Sequence, residues 1–165
     1  AWLDVSNYIK YVENIKNAAI EVLSENDAEK AKANAEGYIE ELKALETEIK
    51  QGIDGLSDKK IITFHEAFDY FAKAYGFEIA AVIELEPGVN PSPDELKNII
   101  DTVNSLPKKV LFSEPQYDVS LIESIANQTG AEIYVLDPVV TGSQDKDEYI
   151  RIMRQNLKNL TEALK

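Results

Sequence analysis

A histidine or a carboxylate follows each of four short apolar segments in the second part of the chain. These residues are His65 and Glu66 after segment 60–64, Glu84 and Glu86 around the end of segment 79–85, Glu114 after segment 109–112, and Asp137 after segment 132–136. Carboxylates that crowd together repel one another unless a proton or a cation lies between them. Zn²⁺ accepts both imidazole nitrogen and carboxylate oxygen. These residue types therefore favour a divalent-metal site, provided that the fold brings the four segment ends together.

The four apolar segments alternate with helical stretches, and this order predicts how the segment ends are arranged. Gly76, Pro107 and Gly130 separate the elements. Nearly continuous apolar strands that alternate with helices are typical of a parallel sheet covered on both faces. The predicted fold class is α/β, with a four-stranded parallel sheet flanked by helices. In such sheets ligands bind outside the carboxyl ends of the strands, where the candidate side chains lie.

Two helices precede the predicted sheet. The apolar spacing over 5–22 predicts the first helix, with Asp4 or Ser6 as its N-cap. The second is expected to begin at Asn26 or Asp27 and to fray at Gly52 and Gly55. A helix of about 28 residues would be ~42 Å long. Its narrow apolar stripe fits either an ordinary packing helix or a rigid spine between two lobes.

Each candidate residue also has a purely structural interpretation. A single histidine at a strand end more often caps or donates a hydrogen bond than binds a metal. Asp137 precedes a proline and fits a turn, and Glu114 fits either a turn or a carboxylate that orients His65. The two remaining strand-end acids, Glu84 and Glu86, are expected to be solvated. Glu66 is expected at the start of a helix, and the aromatic residues 70, 71, 75 and 77 are expected in the core.

Composition excludes several functions. The 165 residues include no cysteine, so disulfides and thiolate-bound metals are excluded. The net charge of −13 speaks against nucleic-acid binding, which requires cations for the phosphates. No apolar run is long enough to insert into a membrane. The phosphate-binding loops, nucleophile elbows and zinc-protease motifs of common enzymes are absent from the sequence.

Several motifs together resemble the zinc- and manganese-specific solute-binding proteins of ABC transporters. They are residues 62–71 (ITFHEAFDYF) with 75–77 (YGF), 112–116 (FSEPQ), 136–138 (LDP), 1–4 (AWLD), and Tyr149, Met153 and Asn156 of the last helix. The resemblance extends over essentially the whole chain. It implies two α/β lobes that are joined by one long helix and hold a metal ion between them.

By this resemblance the chain divides into three parts. Residues 1–25 would be a remnant helix of the N-terminal lobe, 26–58 the interlobe helix, and 59–165 the C-terminal lobe. His65 and Asp137 would occupy the third and fourth metal-ligand positions, with Glu114 behind them. Manganese-preferring members often carry Glu where this chain has His65, so zinc is favoured and manganese is the alternative. Both ligands of the N-terminal lobe are expected to lie outside the chain, so Zn²⁺ should bind weakly.

The resemblance also implies a function and partners. The expected role is extracytoplasmic capture of the metal, as a cell-surface lipoprotein or periplasmic protein, and delivery to an ABC permease subunit. The chain is expected to lack its N-terminal lobe, and apolar surface on residues 1–56 could then pair in a dimer. A surface adhesin or interaction module is the first alternative. An α/β metalloenzyme is the second, although no motif supplies its general base.

Overall fold

The computed structural model describes residues 1–84 and 91–165. Its helices and strands, in chain order, are α1 Val5–Val22, α2 Glu25–Asp54, β1 Lys60–Thr63, α3 Asp69–Tyr75, β2 Glu78–Val82, α4 Pro93–Ser105, β3 Val110–Ser113, α5 Ser120–Thr129, β4 Glu132–Val135 and α6 Glu148–Leu164. The alternation of strands and helices after residue 60 confirms the predicted fold class. Among these described residues, no helix is both long and apolar enough to cross a membrane.

The four strands form one parallel sheet in the order β2-β1-β3-β4. The chain runs outward from β1 to β2 on one side and then from β3 to β4 on the other. The strand order therefore reverses between β1 and β3, where Thr63 pairs with Phe112. Such a reversal opens a crevice at the carboxyl ends of the two central strands. His65 and Glu114 follow those two strands.

Each face of the sheet has its own hydrophobic core. Successive side chains of a strand point to opposite faces, so Ile61 joins one core and Ile62 the other. Phe112 and Leu111 divide in the same way on β3. Helices α2, α3 and α6 cover the first face, and α4 and α5 cover the second. Both central strands are therefore buried on both sides, which explains their continuous apolar sequence.

The long helix α2 begins and ends on local signals. Its N-cap is Ser24, whose side chain accepts a hydrogen bond from the Asp27 backbone, so the predicted caps Asn26 and Asp27 are wrong by two or three residues. Gly55 caps the other end. The helix has 30 residues, or ~45 Å at 1.5 Å per residue. One narrow stripe is buried, formed by Ile39, Leu42, Leu45, Ile49 and Ile53. From Leu42 onward this stripe belongs to the core that includes α6.

The N-terminal segment is anchored in that same core. Leu3 and Val5 are fully buried there, next to residues of α2 and α6. Most of α1 is different, because its outer surface leaves large apolar side chains exposed. In residues 1–23 these are Trp2, Tyr11, Ile15, Ile20, Val22 and Leu23. These residues lie within segment 1–56, where the sequence predicted apolar surface.

Local boundaries differ from expectation around α3. The helix that was expected to start near Glu66 begins only at Asp69, because the chain first makes a turn after β1. Glu66 is exposed in that turn rather than inside the first helical turn. Tyr70 is 52% exposed and so is not a core residue, whereas its three aromatic neighbours are buried. The expectations for Leu85 and Glu86 lie outside the described residues.

Leu45 tests whether the buried stripe of α2 fixes the helix to the sheet. Leu45→Ala should lower the free energy of unfolding by about 2–5 kcal/mol, because it leaves a cavity in a closed core. Leu23→Ala is the matched control, since Leu23 is 43% exposed after α1, and its effect should stay within about 0.5 kcal/mol. Urea unfolding followed by circular dichroism measures both. Equal effects of the two substitutions would contradict this account of the stripe.

Candidate metal centre

His65 is held at the carboxyl end of β1 by its backbone. Its N–H donates to the Glu114 carboxylate (Oε1) at 3.0 Å, and its carbonyl accepts from the Thr63 hydroxyl at 3.1 Å. The first of these bonds links the end of β1 to the end of β3. The residue is only 6% exposed to solvent. The imidazole is thus fixed inside the crevice between the central strands.

Glu84 lies beside the imidazole, contrary to the expectation that it is solvated. Its backbone N–H donates to the Phe64 carbonyl at 2.8 Å, which continues the pairing of β1 and β2 beyond the strand ends. The residue is only 8% exposed. One carboxylate oxygen (Oε2) lies 3.2 Å from Nε2 of His65. The register of β2 on β1, which a single sequence does not specify, carries this acid inward.

Glu114 occupies the other edge of the imidazole. Its Oε1 lies 3.4 Å from Nδ1 of His65, and its Oε2 accepts a hydrogen bond from the Gln116 amide at 2.8 Å. Burial raises the pKa of the Glu114 carboxyl above its ordinary value, while the nearby His65 and the hydrogen bonds act in the opposite direction. The contact with His65 agrees with the sequence interpretation of Glu114 as an orienting carboxylate.

An aromatic side chain that the sequence interpretation missed covers the imidazole. The rings of Tyr117 and His65 stack with centroids 3.8 Å apart and planes inclined by 29°. The Phe64 ring meets the imidazole edge-on at 4.8 Å. The only sequence feature that pointed to Tyr117 was its position, three residues after Glu114 at the end of β3. A single sequence gives no means of recognising that the turn folds back over His65.

Both nitrogens of His65 are buried without a well-formed hydrogen bond to any residue of 1–84 or 91–165. The carboxylates of Glu84 and Glu114 are near them, but the alignment falls short of a hydrogen bond. An imidazole nitrogen in this state, beside carboxylate oxygens, is a donor set suited to a borderline cation such as Zn²⁺. The described part of the chain contains no group of three or more His, Asp or Glu side chains arranged to hold a metal ion.

A cavity of about 340 Å³ opens beside the imidazole. Its lining consists of Trp2, His65, Glu66, Ala67, Glu114, Gln116, Tyr117, Pro138 and Val140. The carbonyl oxygen (Oε1) of the Gln116 side chain is also buried without a hydrogen-bond partner among the described residues. The cavity therefore gathers residues from the ends of β1, β3 and β4 and from the N-terminal segment.

Asp137 follows β4, at the neighbouring position along the sheet edge. Its backbone is clamped by the Asn156 side chain, which accepts from the Asp137 N–H at 2.8 Å and donates to its carbonyl at 2.7 Å. Its Oδ1 accepts from the Val139 N–H at 2.8 Å. Val139 has φ +57°, a strained conformation for a β-branched residue. Within the described chain, no hydrogen bond or ion pair joins Asp137 to His65 or Glu114.

The N-terminal segment reaches the same region through Trp2. The indole N–H of Trp2 donates to the Pro138 carbonyl at 2.7 Å, and the Tyr149 hydroxyl donates to the Trp2 carbonyl at 2.7 Å. These two bonds fix the start of the chain against α6 and against the residue that follows Asp137. The AWLD motif and the LDP motif, which are distant in sequence, are therefore adjacent in space.

A larger cavity of about 970 Å³ lies between the α1–α2 pair and segment 139–149. Tyr8, Tyr38 and Tyr149 line it, with the Tyr8 and Tyr149 rings stacked at 3.9 Å. Glu148, one of the acids in its lining, accepts two hydrogen bonds from the Arg151 guanidinium, at 2.6 and 2.7 Å. The smaller cavity is the candidate metal centre, because the chain's one histidine lines that cavity and not this one.

Comparison with known proteins gives concordant matches. Residues 1–163 match the family model of ZnuA, the periplasmic component A of a zinc-uptake complex. The manganese-binding lipoprotein MntA of Halalkalibacterium halodurans is 30% identical over 169 residues, which cover 99% of this chain and 56% of that protein. The high-affinity zinc uptake system protein ZnuA of Brucella abortus is 32% identical over 167 residues, which cover 99% of this chain and 48% of that protein.

A solved structure extends the likeness to three dimensions. The laminin-binding protein Lmb of Streptococcus agalactiae, described as bifunctional with adhesin and metal-transporting activity, aligns with a TM-score of 0.86 and 27% identity. The alignment covers 100% of this chain and 63% of that one. The chain spans about half the length of the curated relatives it matches. The resemblance predicted from the motifs is confirmed at the level of the family.

Glu114 tests how the two central strand ends are joined. Glu114→Gln should lower the free energy of unfolding by about 1–3 kcal/mol, because an amide cannot accept from both the His65 N–H and the Gln116 amide as a carboxylate does. Glu123→Gln, on the exposed side of α5, makes the same change in charge and should be nearly neutral. Urea unfolding compares the two variants. A Glu114→Gln variant as stable as the control would contradict the link between β1 and β3.

Proposed function

Because the chain belongs to the ZnuA family of periplasmic zinc-uptake components, we propose that it captures a divalent transition metal outside the cytoplasm and delivers it to an ABC permease. Zinc is the favoured metal and manganese the alternative. The metal is the cargo, so the protein's work is binding and release rather than catalysis. This role rests on family membership together with the imidazole in the crevice.

The single observation that carries the proposal is the state of His65. The imidazole is buried, lines an open cavity, and has neither nitrogen in a well-formed hydrogen bond. Burying a polar group without a partner costs free energy, which a bound cation would recover. The neighbouring carboxylates of Glu84 and Glu114 make the surroundings electronegative, and this attracts a cation.

We propose His65 and Asp137 as metal ligands, with Glu114 orienting the imidazole. Asp137 ends the strand next to β3, and its neighbour Pro138 lines the cavity that contains His65. The position of Asp137 on this edge supports its assignment. Two protein ligands leave a tetrahedral zinc site half filled, and water would complete it. The other ligands would come from residues outside this chain, so the isolated chain should bind Zn²⁺ weakly.

The preference for zinc follows from ligand chemistry. Imidazole nitrogen suits Zn²⁺, whereas Mn²⁺ is bound mainly by carboxylate and water oxygens. Relatives of the chain are named for both metals, so family membership alone does not select one. His65 supports zinc, because the resemblance associates manganese preference with Glu at this position.

We propose that residues 1–25 belong to the N-terminal lobe, 26–58 to the interlobe helix and 59–165 to the C-terminal lobe. The buried stripe of α2 packs on the core that includes α6, so the helix would resist bending against this lobe. Exposed apolar side chains at the N-terminal end of the chain would contact the other lobe or pair in a dimer.

The cellular setting is inferred from relatives. The matched family is described as periplasmic, and the relatives MntA and scaA are named as lipoproteins. We propose an extracytoplasmic protein, free in the periplasm or anchored at the cell surface. Its partner would be the membrane permease of the same transport system.

Adhesion is the second candidate, since Lmb is described as having adhesin as well as metal-transporting activity. The acidic surface and the exposed apolar residues of α1 are compatible with a protein partner. Metal capture remains the main proposal because it accounts for the buried imidazole, which adhesion does not. The other alternative, an α/β metalloenzyme, has no support from the family, whose named members are metal-binding and metal-uptake proteins.

Calorimetric titration of the chain with Zn²⁺ tests the metal ligands. The native sequence should bind weakly, and His65→Ala should abolish measurable binding because it removes the only imidazole. Asp137→Asn should weaken binding by about tenfold or more. Asp101→Asn, exposed on α4, is the control for charge and should bind as the native sequence does. Tight binding that survives His65→Ala would refute the site.

His65→Glu tests the basis of the metal preference. Replacing nitrogen by a carboxylate should reduce the affinity for Zn²⁺ relative to that for Mn²⁺, since Mn²⁺ tolerates oxygen ligands better. Competition titrations with the two metals give the ratio of their dissociation constants. Asp69→Asn, exposed at the start of α3, should leave that ratio unchanged. If His65→Glu leaves it unchanged as well, the side chain at this position does not set the preference.

A further inference from the structure

We propose that Tyr117 is a positioning residue, which holds the His65 imidazole in the orientation that captures the metal. This inference rests on the proposed function. It concerns a side chain that contributes no charge and that the motif-based assignment of ligands leaves out. The observation behind it is the face-to-face packing of the two rings in the wall of one cavity.

Among the described residues, the stack on Tyr117 is closer than the other ring contact of the imidazole, with Phe64. Its centroid distance of 3.8 Å and inclination of 29° are close to an offset parallel arrangement. The contacts at the ring edges are poorer, because neither nitrogen reaches hydrogen-bond alignment with Glu84 or Glu114. Packing against Tyr117, more than hydrogen bonding, therefore determines the plane of the ring.

The local fold builds this contact. After β3 the chain turns at Glu114, and the Tyr117 N–H donates to the Glu114 carbonyl at 3.3 Å. The Glu114 side chain simultaneously holds the His65 backbone. One short segment thus fixes both the backbone of His65 and the ring that covers its side chain. The Phe64 ring lies 5.9 Å from that of Tyr117 and closes the aromatic enclosure.

A fixed imidazole helps a site that starts with few ligands. A ligand that is already oriented loses less rotational freedom when it binds, and this improves affinity without a new bond to the metal. The face of a phenol ring also attracts positive charge, which a metal-bound imidazole carries. Loss of the stack should therefore weaken Zn²⁺ binding by about threefold to tenfold, the cost of immobilising one otherwise mobile side chain on binding.

The test compares Tyr117→Leu with Tyr117→Phe, each titrated calorimetrically with Zn²⁺. Tyr117→Leu should raise the dissociation constant by about threefold to tenfold, and Tyr117→Phe should restore native affinity because it keeps the ring. Tyr70→Leu, exposed on α3, is the matched control and should bind as the native chain does. If Tyr117→Leu does not fold, Tyr117→Met provides a larger side chain without a ring.

Proton NMR of the metal-free chain supplies an independent readout. His65 is the only histidine, so its ring-proton signals are unambiguous. They should move when the Tyr117 ring is removed and stay near their native positions in Tyr117→Phe. Unmoved signals in Tyr117→Leu would show that the stack does not form, which overturns the inference.

The affinity outcomes separate the two proposals. Equal Zn²⁺ affinity in the native chain and Tyr117→Leu would overturn the positioning role and leave the proposed function intact. Equal weakening in Tyr117→Leu and Tyr117→Phe would also overturn it, because the hydroxyl and not the stacked ring would then be responsible. A native chain that does not bind Zn²⁺ at all would refute the proposed function itself.

Discussion

The hydrogen bond from the His65 backbone to the Glu114 carboxylate joins the ends of the two central strands, and the arrangement of the candidate site depends on it. Parallel pairing of β1 with β3 brings those ends together, with Thr63 opposite Phe112. The bond from His65 to Glu114 adds a buried link between the segments that follow this pair. The imidazole, the Tyr117 ring and the cavity all lie within a few residues of this bond.

The same region contains buried carboxyl groups, whose charged forms cost free energy to remove from water. Two acids that flank His65, Glu84 and Glu114, are at most 8% exposed, and burial disfavours the charged form of a carboxyl group. Natural proteins accept such a cost where a cation, a proton or a hydrogen-bond donor compensates for it. Here Glu114 accepts from the His65 N–H and the Gln116 amide, and the imidazole lies 3.2 and 3.4 Å from the two acids. A bound metal would compensate further. The surface acids, by contrast, are solvated and carry most of the net charge of −13.

The rest of the fold supplies a rigid support for the site. Separate cores on the two faces bury both central strands, so their ends move little relative to one another. The N-terminal segment is attached on one side by the hydrogen bonds that Trp2 makes with Pro138 and Tyr149. Asn156 clamps Asp137 from α6 in the same manner. The site thus draws on the ends of all four strands, the N-terminal segment and α6, and hydrogen bonds between side chains and backbone hold these parts together.

The sequence by itself determined the elements and much of the site's composition. Apolar runs, capping residues and glycines predicted the four strands and the order of the helices, because these signals are local. Asp4 is one example, since its side chain accepts from the Ser6 and Asn7 N–H groups at the start of α1. The motifs around His65, Glu114 and Asp137 identified the family. Tertiary structure alone decided the inward turn of Glu84, the stacking of Tyr117 on His65 and the exposure of Tyr70. Strand pairing and the path of a turn set these three outcomes, and both depend on residues far apart in the chain, whose proximity no local pattern encodes.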